Sequence, residues 1–326
     1  WIRENPSFIS AETTPDPDEE NAVKNNYSTA IGALIFSLVF LLGVPGNLFV
    51  VWSILARCRQ RSVTTLLILN LACADGFLMA LSIFFIIFLA LRTWVFGNAM
   101  CKIVFYLCHS NMYASVFLIT LMSVNRLLAV VFPHTLYRLI TRKVVRRVIL
   151  GTWVLVIVMS IPSLVFRDVK GVRFEYAFQT VAGFIIPYAI IITSYVLILK
   201  RLRETRFQRN FRSEKLILAI VIMFGLFWLP YHVVNMIRVC KGIFSTNNPI
   251  TTSNLLHDIA ESTRAVAAAL AFISSCANPV LYTFAGKSYI KNNGFAFMAK
   301  LFEGTSSETE TKTTAQKKKN KQTKCT

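Results

Sequence analysis

Apolar residues along this chain fall into seven long runs, which are separated by shorter polar segments. Each run is longer than the roughly 20 residues that a helix needs to cross about 30 Å of hydrocarbon. Barrel strands would instead alternate in polarity over about 10 residues. The pattern predicts an all-α membrane protein, a bundle of seven transmembrane helices. The seven predicted spans, numbered 1 to 7 in chain order, are 31–56, 63–91, 103–131, 144–166, 177–199, 216–239 and 259–285.

Composition excludes the simpler alternatives to a seven-span bundle. Of the 326 residues, 55% are hydrophobic and 16% are charged, against about 25% charged in an average soluble domain. Disorder requires low hydrophobicity and few aromatic residues, whereas 13% of this chain is aromatic. A protein with one span would not need so much apolar sequence, since one helix uses only about 20 residues.

The distribution of charge predicts the orientation in the membrane. The net charge is +19, and the basic residues lie mostly in the segments after spans 1, 3, 5 and 7, whereas the N-terminal tail is acidic. Basic loops stay on the cytoplasmic side. We therefore expect a multi-pass plasma membrane protein with an extracellular N-terminus and a cytoplasmic C-terminus, and no nucleic acid partner.

Four regions follow from this topology. An extracellular tail (1–27) carries a possible glycosylation site at Asn26, although its proximity to span 1 leaves its use open. The bundle covers 28–285. Residues 286–302 form an amphipathic pattern, which predicts a helix at the inner membrane surface, and the polar segment 303–326 is predicted to be a cytoplasmic tail.

Polar side chains inside spans are costly, so each is a candidate functional residue. They are Asn47, Asn70, Asp75, Ser115, Asn125, Arg126, Trp153, Tyr195, Trp228, Asn278 and Tyr282, together with Pro162, Pro187, Pro230 and Pro279. Taken in order, one set per span, they resemble the rhodopsin-like family of G-protein-coupled receptors over residues 28–302. The resemblance implies an outer cavity that binds an agonist and an inner cleft for a heterotrimeric G protein. It also implies receptor kinases and arrestin as partners.

An activation switch is implied by the same resemblance. Pro230 and Pro279 each remove a backbone hydrogen bond and leave a hinge point. Arg126 is expected to couple to the G protein. Its neighbour is Asn125 where the family has Asp or Glu, and an amide restrains a guanidinium more weakly than a carboxylate does. The expected switch residues are Trp228, Pro230, Asn278, Pro279, Tyr282 and Tyr195.

A buried carboxylate at Asp75 needs a cation or a proton. The resemblance implies an allosteric sodium ion, and hard oxygen ligands suit such an ion. The alternative is a protonated Asp75 bonded to Asn278. No other cofactor is expected. The expected sodium residues are Asp75, Ser115, Ser274 and Asn278.

The predicted outer mouth favours an anionic, largely apolar ligand. Amine receptors need an Asp where span 3 has Cys108, and opsins need a lysine where span 7 has Phe272. Several arginines near the outer helix ends suit carboxylate binding, and aromatic residues are expected to line the cavity below them. A ligand with an acid head and a long apolar chain would match both layers.

Four longer strings resemble the leukotriene B4 receptors. The resemblance implies a chemoattractant lipid receptor that signals mainly through inhibitory-class G proteins in chemotaxis and inflammation. The strings are residues 46–53 (GNLFVVWS), 110–116 (SNMYASV), 228–235 (WLPYHVVN) and 299–304 (AKLFEG). The implied ligand positions are Phe105, Tyr113, Arg167, Asn235 and Arg264. Gln179 and Phe105 do not clearly match the residues that either leukotriene B4 receptor subtype has at these positions. The resemblance therefore does not assign a subtype.

One departure concerns a disulfide. The family joins the start of span 3 to the loop after span 4, and Cys101 stands in the first position. No cysteine occurs between Cys108 and Cys240. Either the bridge is lost, or residues are missing from the sequence.

Three other classes of protein are alternatives to a lipid receptor. A peptide chemoattractant receptor of the same family would explain the acidic N-terminal tail. A transporter would show repeated halves, and no repeat relates the two halves of this chain. An enzyme is disfavoured because no metal triad, nucleophile elbow or phosphate loop appears, and the four histidines are scattered.

Overall fold

The structure is a computed structural model that describes residues 26–58, 62–132, 141–165, 169–204, 212–244 and 266–282. All regular structure in these segments is helical. Spans 1 to 3 are Asn26–Trp52, extended by a π-helical turn at Ser53–Arg57, then Val63–Leu91 and Gly97–Val131. Span 4 is Arg142–Ser160 with a short turn at Pro162–Val165. Span 5 is Val169–Thr180, a π-helical turn at Val181–Ile185 and Ile186–Glu204. Span 6 is Arg212–Phe244, and span 7 is Val266–Tyr282.

The predicted helix bundle is confirmed. Six of the described helices are long and apolar enough to cross a membrane, and the described part of span 7 is a shorter apolar helix. Span 5 begins at Val169, earlier than the predicted 177, and span 3 begins at Gly97 instead of 103. Hydropathy shows where the hydrocarbon ends, but a helix can continue into the polar interface beyond it. Residues 1–25 of the predicted extracellular tail, the predicted amphipathic helix at 286–302 and the predicted cytoplasmic tail lie outside the described residues.

Local signals explain where two spans begin. The Ser62 hydroxyl accepts a hydrogen bond from the Thr65 backbone N–H at 3.2 Å, at the start of span 2. The Thr141 hydroxyl accepts one from the Val144 backbone N–H at 3.3 Å, at the start of span 4. Side-chain oxygens at these positions satisfy backbone donors that the helix leaves unpaired.

Span 3 lies at the centre of the bundle, where it packs against spans 2, 4, 5 and 6. Its residues Met112, Val116, Ile119 and Met122 are almost completely buried. Span 4 lies at the periphery and leaves several large apolar side chains exposed, as expected for a helix that faces lipid. The bundle has two ends. The Trp94 end lies at the connection between spans 2 and 3, and the Arg126 end lies at the opposite end of span 3.

Candidate functional site

A polar cluster around Asp75 occupies the middle of the bundle. Asp75 is fully buried. The Ser115 hydroxyl donates to one carboxylate oxygen at 3.3 Å, and the Asn278 amide donates to the other at 2.7 Å. Ser275 and Asn111 also face this carboxylate. Spans 2, 3 and 7 thus meet at one carboxylate.

The side chains at this cluster fit the expected sodium ion. Among the described residues, no Lys or Arg forms an ion pair with Asp75. The Asn47 side-chain oxygen is buried without a hydrogen-bond partner in the described segments. Its amide donates to the backbone oxygens of Gly43 and Ser275 at 3.0 and 3.3 Å. Oxygen donors around an uncompensated carboxylate are the donor set that a hard cation prefers.

Ser274 takes a different position from the other expected sodium residues. Its hydroxyl accepts a hydrogen bond from the Trp228 indole at 2.9 Å and donates to the Ala271 backbone oxygen at 2.7 Å. Ser274 lies one helical turn from Asn278 on span 7. It therefore connects the Asp75 cluster to Trp228 on span 6, which stacks on Phe224 at 5.7 Å between ring centroids.

A second buried group of polar residues lies between spans 3, 5 and 6, towards the Trp94 end. Tyr113, Gln179 and Asn235 are each at most 2% exposed. The Tyr231 hydroxyl donates to the Gln179 side-chain oxygen at 3.5 Å, while the Gln179 amide contacts the Met112 sulfur at 3.0 Å. Asn235 follows Tyr231 by about one helical turn on span 6. The residues Tyr113, Gln179, Tyr231 and Asn235 are called here the upper pocket, and two of them, Tyr113 and Asn235, are predicted ligand positions.

Gly183 lets span 5 approach Tyr113 in this pocket. It lies in the π-helical turn Val181–Ile185. A Cβ added at Gly183 would lie 2.7 Å from Tyr113 Cε1 and 3.0 Å from Met112 Cε. These distances leave no room for a larger residue, so the turn and the glycine together define this wall of the pocket.

His232 belongs to the upper pocket, and our sequence reasoning missed it. It is 3% exposed, and its Nδ1 lies 3.2 Å from the Thr180 hydroxyl. Its ring stacks on Phe184 at 4.5 Å between centroids. The sequence did contain a signal for this residue, because His232 follows Pro230 by two residues in a span that carries an expected ligand position.

A group of phenylalanine rings packs together where four spans meet. Phe85 contacts Phe36, Phe105 and Phe272 at centroid distances of 5.3, 6.4 and 5.7 Å. Phe36 also meets Phe272 edge-on at 5.0 Å. Spans 1, 2, 3 and 7 therefore meet in aromatic contacts that include the expected ligand position Phe105.

Charged side chains near the Trp94 end make contacts between spans. Arg238 donates to the Tyr176 hydroxyl at 3.2 Å and lies over its ring. His109 and Glu175 approach to 3.8 Å and link spans 3 and 5. The predicted ligand arginines, Arg167 and Arg264, lie outside the described residues.

At the Arg126 end, the Asn125 amide nitrogen donates to the Thr64 hydroxyl at 3.4 Å and connects span 3 to span 2. This nitrogen could not pair with Arg126, because a guanidinium only donates hydrogen bonds. The expected weak restraint of Arg126 by the Asn125 oxygen stays a prediction. Arg126 is 7% exposed, Tyr282 is fully buried and Tyr195 is half-buried.

The described residues do not test two further expectations, the disulfide of Cys101 and the glycosylation of Asn26. No disulfide joins cysteines of the described segments, which include Cys101. The side chain of Asn26, the expected glycosylation site, lies outside the described side chains. Both expectations stay predictions.

Six long apolar helices and a shorter seventh in the described segments, with a carboxylate buried among them, are typical of a membrane receptor of the seven-helix class. Residues 46–282 match the family described as 7 transmembrane receptor (rhodopsin family). The chain therefore belongs to this family of receptors, which are not enzymes.

Among its relatives, the chain is similar to human leukotriene B4 receptor 1, at 40% identity over 86% of this chain and 84% of the relative. Rat leukotriene B4 receptor 2 is 36% identical over 89% of this chain and 85% of that receptor. The zebrafish C3a anaphylatoxin chemotactic receptor is 31% identical over 90% of this chain and 82% of that receptor.

Proposed function

We propose that this chain is a G-protein-coupled receptor for a lipid mediator with a carboxylate head, with leukotriene B4 as its agonist. The observation that carries the proposal is the 40% identity to human leukotriene B4 receptor 1 over most of both chains. The upper pocket supports it, because its few polar groups lie next to aromatic rings, Phe184 against His232 and Trp228 against Tyr231. Such a combination suits a long apolar chain with polar substituents.

The wider role follows from the family. We propose that the receptor lies in the plasma membrane with its N-terminus outside, as the basic segments after spans 1, 3 and 5 favour. It activates inhibitory-class G proteins through the Arg126 end in chemotaxis and inflammation. We further propose that sodium binds at Asp75 as an allosteric ion, with Ser115, Ser274 and Asn278.

A ligand panel tests the agonist. Leukotriene B4, related hydroxy acids and chemotactic peptides are compared by G-protein dissociation in cells that express the chain. A potent response to leukotriene B4 supports the proposal. A response to peptides alone would instead favour a peptide chemoattractant receptor, the second candidate, which the similarity to the zebrafish C3a receptor keeps in view.

Arg264 and Arg167 are proposed to bind the agonist carboxylate. A charge-assisted contact contributes about 1.5 to 3 kcal/mol, so Arg264→Ala is expected to weaken agonist potency about 10-fold to 150-fold. The methyl ester of the agonist should lose much less than the acid does. Lys102→Ala serves as the matched control, since it removes a positive charge from the same end. Equal losses for acid and ester would rule out the contact.

The polar tail is proposed to recruit arrestin after phosphorylation by receptor kinases. Each phosphate adds about −1.5 to −2 charge. Truncation after Glu303 should slow desensitisation and leave the first G-protein response intact, as measured by repeated agonist pulses. Unchanged desensitisation would remove this role. The candidate acceptors are Thr305, Ser306, Ser307, Thr309, Thr311, Thr313 and Thr314.

A further inference from the structure

Two ionisable side chains, His109 on span 3 and Glu175 on span 5, face each other near the Trp94 end. The His109 Nε2 and Glu175 Oε1 atoms are 3.8 Å apart, and each side chain is 13% exposed. Both border a cavity between spans 3, 4 and 5, and the wall of this cavity also includes Tyr113 and Gln179. The pair is therefore largely shielded from water and lies beside two residues of the upper pocket.

The tautomer of His109 is set by its own helix. Its Nδ1 lies 2.8 Å from the Phe105 backbone oxygen, and a carbonyl oxygen only accepts hydrogen bonds. Nδ1 must therefore donate, so it carries the hydrogen of the neutral ring. In that ring Nε2 is an acceptor, and it lies near another acceptor, the Glu175 carboxylate.

One added proton removes the repulsion between these two acceptors. On His109 the proton produces an imidazolium, which forms an ion pair with Glu175. On Glu175 it produces a carboxylic acid, whose hydroxyl can donate to Nε2. Because groups that interact so closely titrate as a pair, the two residues form a single site for one proton.

Span 4 brings no charged group to the described wall of this cavity. Its residues there are Met159, Ser160, Pro162 and Ser163. Tyr113 on span 3 and Tyr231 on span 6 carry phenol hydroxyls, which are neutral at physiological pH. His109 is therefore the described side chain in this wall that ordinarily titrates between about pH 5 and 8.

The basic side chains of the neighbouring elements occupy other positions. Arg238 on span 6 donates to the Tyr176 hydroxyl at 3.2 Å. Lys102 precedes His109 by seven positions, which is about 10 Å along span 3. Arg173 precedes Glu175 by two positions and so points to another side of span 5. Arg167 and Asp168 lie outside the described residues.

We propose that His109 and Glu175 together bind one proton, and that this proton promotes binding of the anionic agonist. This inference rests on the proposed lipid-receptor function. Uptake of the proton changes the pair from one negative charge to none, so a carboxylate ligand in the adjoining upper pocket is repelled less. By reciprocity, a bound agonist holds the proton more tightly. Agonist affinity should therefore rise as the pH falls.

The test measures binding of labelled leukotriene B4 to membranes that contain the receptor, at a series of values between about pH 8 and pH 6, the range in which histidine titrates. One proton limits the change in affinity to about tenfold for each pH unit. For the wild type we expect a gain of about threefold to tenfold over the whole range.

Two substitutions should fix the site in opposite states. Glu175→Gln removes the negative charge and supplies an amide that donates to Nε2 without an added proton, so affinity should stay at the wild-type low-pH level throughout. His109→Phe removes the proton acceptor and leaves the carboxylate charged, so affinity should stay near the wild-type high-pH level.

His232→Gln is the matched control, because it removes another buried imidazole, which is 3% exposed beside the upper pocket. Its affinity for the agonist can differ from that of the wild type. The dependence of that affinity on pH should persist, since His109 and Glu175 are unchanged.

The outcomes separate this inference from the proposed function. If the wild type does not bind leukotriene B4 at any pH, both fail. If the wild type binds it equally at every pH, or if Glu175→Gln and His109→Phe keep the wild-type pH dependence, the proton site alone is overturned. Loss of the dependence in His232→Gln, with its retention in His109→Phe, would also overturn it. If one variant does not reach the membrane, the other decides by the same criterion.

Discussion

The Asp75 cluster and the upper pocket are about equally buried, but within the described segments each lacks a different kind of interaction: the cluster lacks a counter-charge and the pocket lacks some hydrogen-bond partners. Both carboxylate oxygens of Asp75 accept hydrogen bonds, yet no described basic side chain compensates the charge. In the upper pocket, one nitrogen of each of two side chains, His232 Nε2 and Asn235 Nδ2, has no hydrogen-bond partner among the described residues. The cluster therefore suits a small cation, whereas the pocket suits a neutral polar group. The proposed sodium site and the proposed agonist site therefore differ in the interaction that each leaves unmade.

The largest expected effect would come from neutralising Asp75. If sodium favours the conformation that binds agonist less well, sodium lowers agonist affinity in the wild type, by a coupling that is typically 5-fold to 150-fold. Asp75→Asn should abolish this effect, because an amide supplies no charge to hold the ion. The measurement is agonist affinity with sodium against the same concentration of a large organic cation. Sodium sensitivity that survives in a mutant at normal surface levels would exclude the site.

A smaller effect, confined to the pocket, is expected from Gly183→Ala. The new methyl group would lie 2.7 Å from Tyr113 Cε1, and overpacking of this kind typically costs about 1 to 3 kcal/mol. Agonist potency should fall at least fivefold, while the sodium effect on the remaining binding persists. Gly151→Ala is the control, since a Cβ there meets no other group within 4 Å. If Gly183→Ala altered the sodium effect as well, the two sites would not be separable.

The smallest effect is expected at Asn125, away from both sites. A carboxylate beside Arg126 should strengthen the restraint of the resting state by roughly 1 kcal/mol relative to an amide. Basal G-protein activation per surface receptor should therefore fall about fivefold in Asn125→Asp. Because the Asn125 amide donates to Thr64, Thr64→Val is a useful companion variant. If it changes basal activity and Asn125→Asp does not, the contact between spans 2 and 3 holds the resting state.

The spans were predictable because each needs only a long apolar run, which local sequence records directly. The pairing of Asp75 with Asn278 was also within reach, since a buried carboxylate requires partners and Asn278 is a polar group in another span. The contact between Thr180 and His232 was not predictable. The two residues are 52 positions apart, and neither stands out from the other polar residues in its span. The extension of span 5 to Val169 was missed for a different reason: residues such as Arg173 and Glu175 end the apolar run but not the helix.

The π-helical turn at Val181–Ile185 has a consequence for how such a receptor can change over time. A π-helical turn accommodates one more residue than an α-helical turn, and one residue corresponds to about 100° of rotation around a helix axis. Span 5 therefore has two parts, one with Gln179 and Thr180 and the other beyond Ile185. The turn allows the two parts to be rotated differently about the helix axis. Insertion or deletion of one residue there would turn a new set of side chains towards the ligand. The part of span 5 nearer Glu204 would keep its packing, so ligand choice could diverge without rebuilding the rest of the bundle.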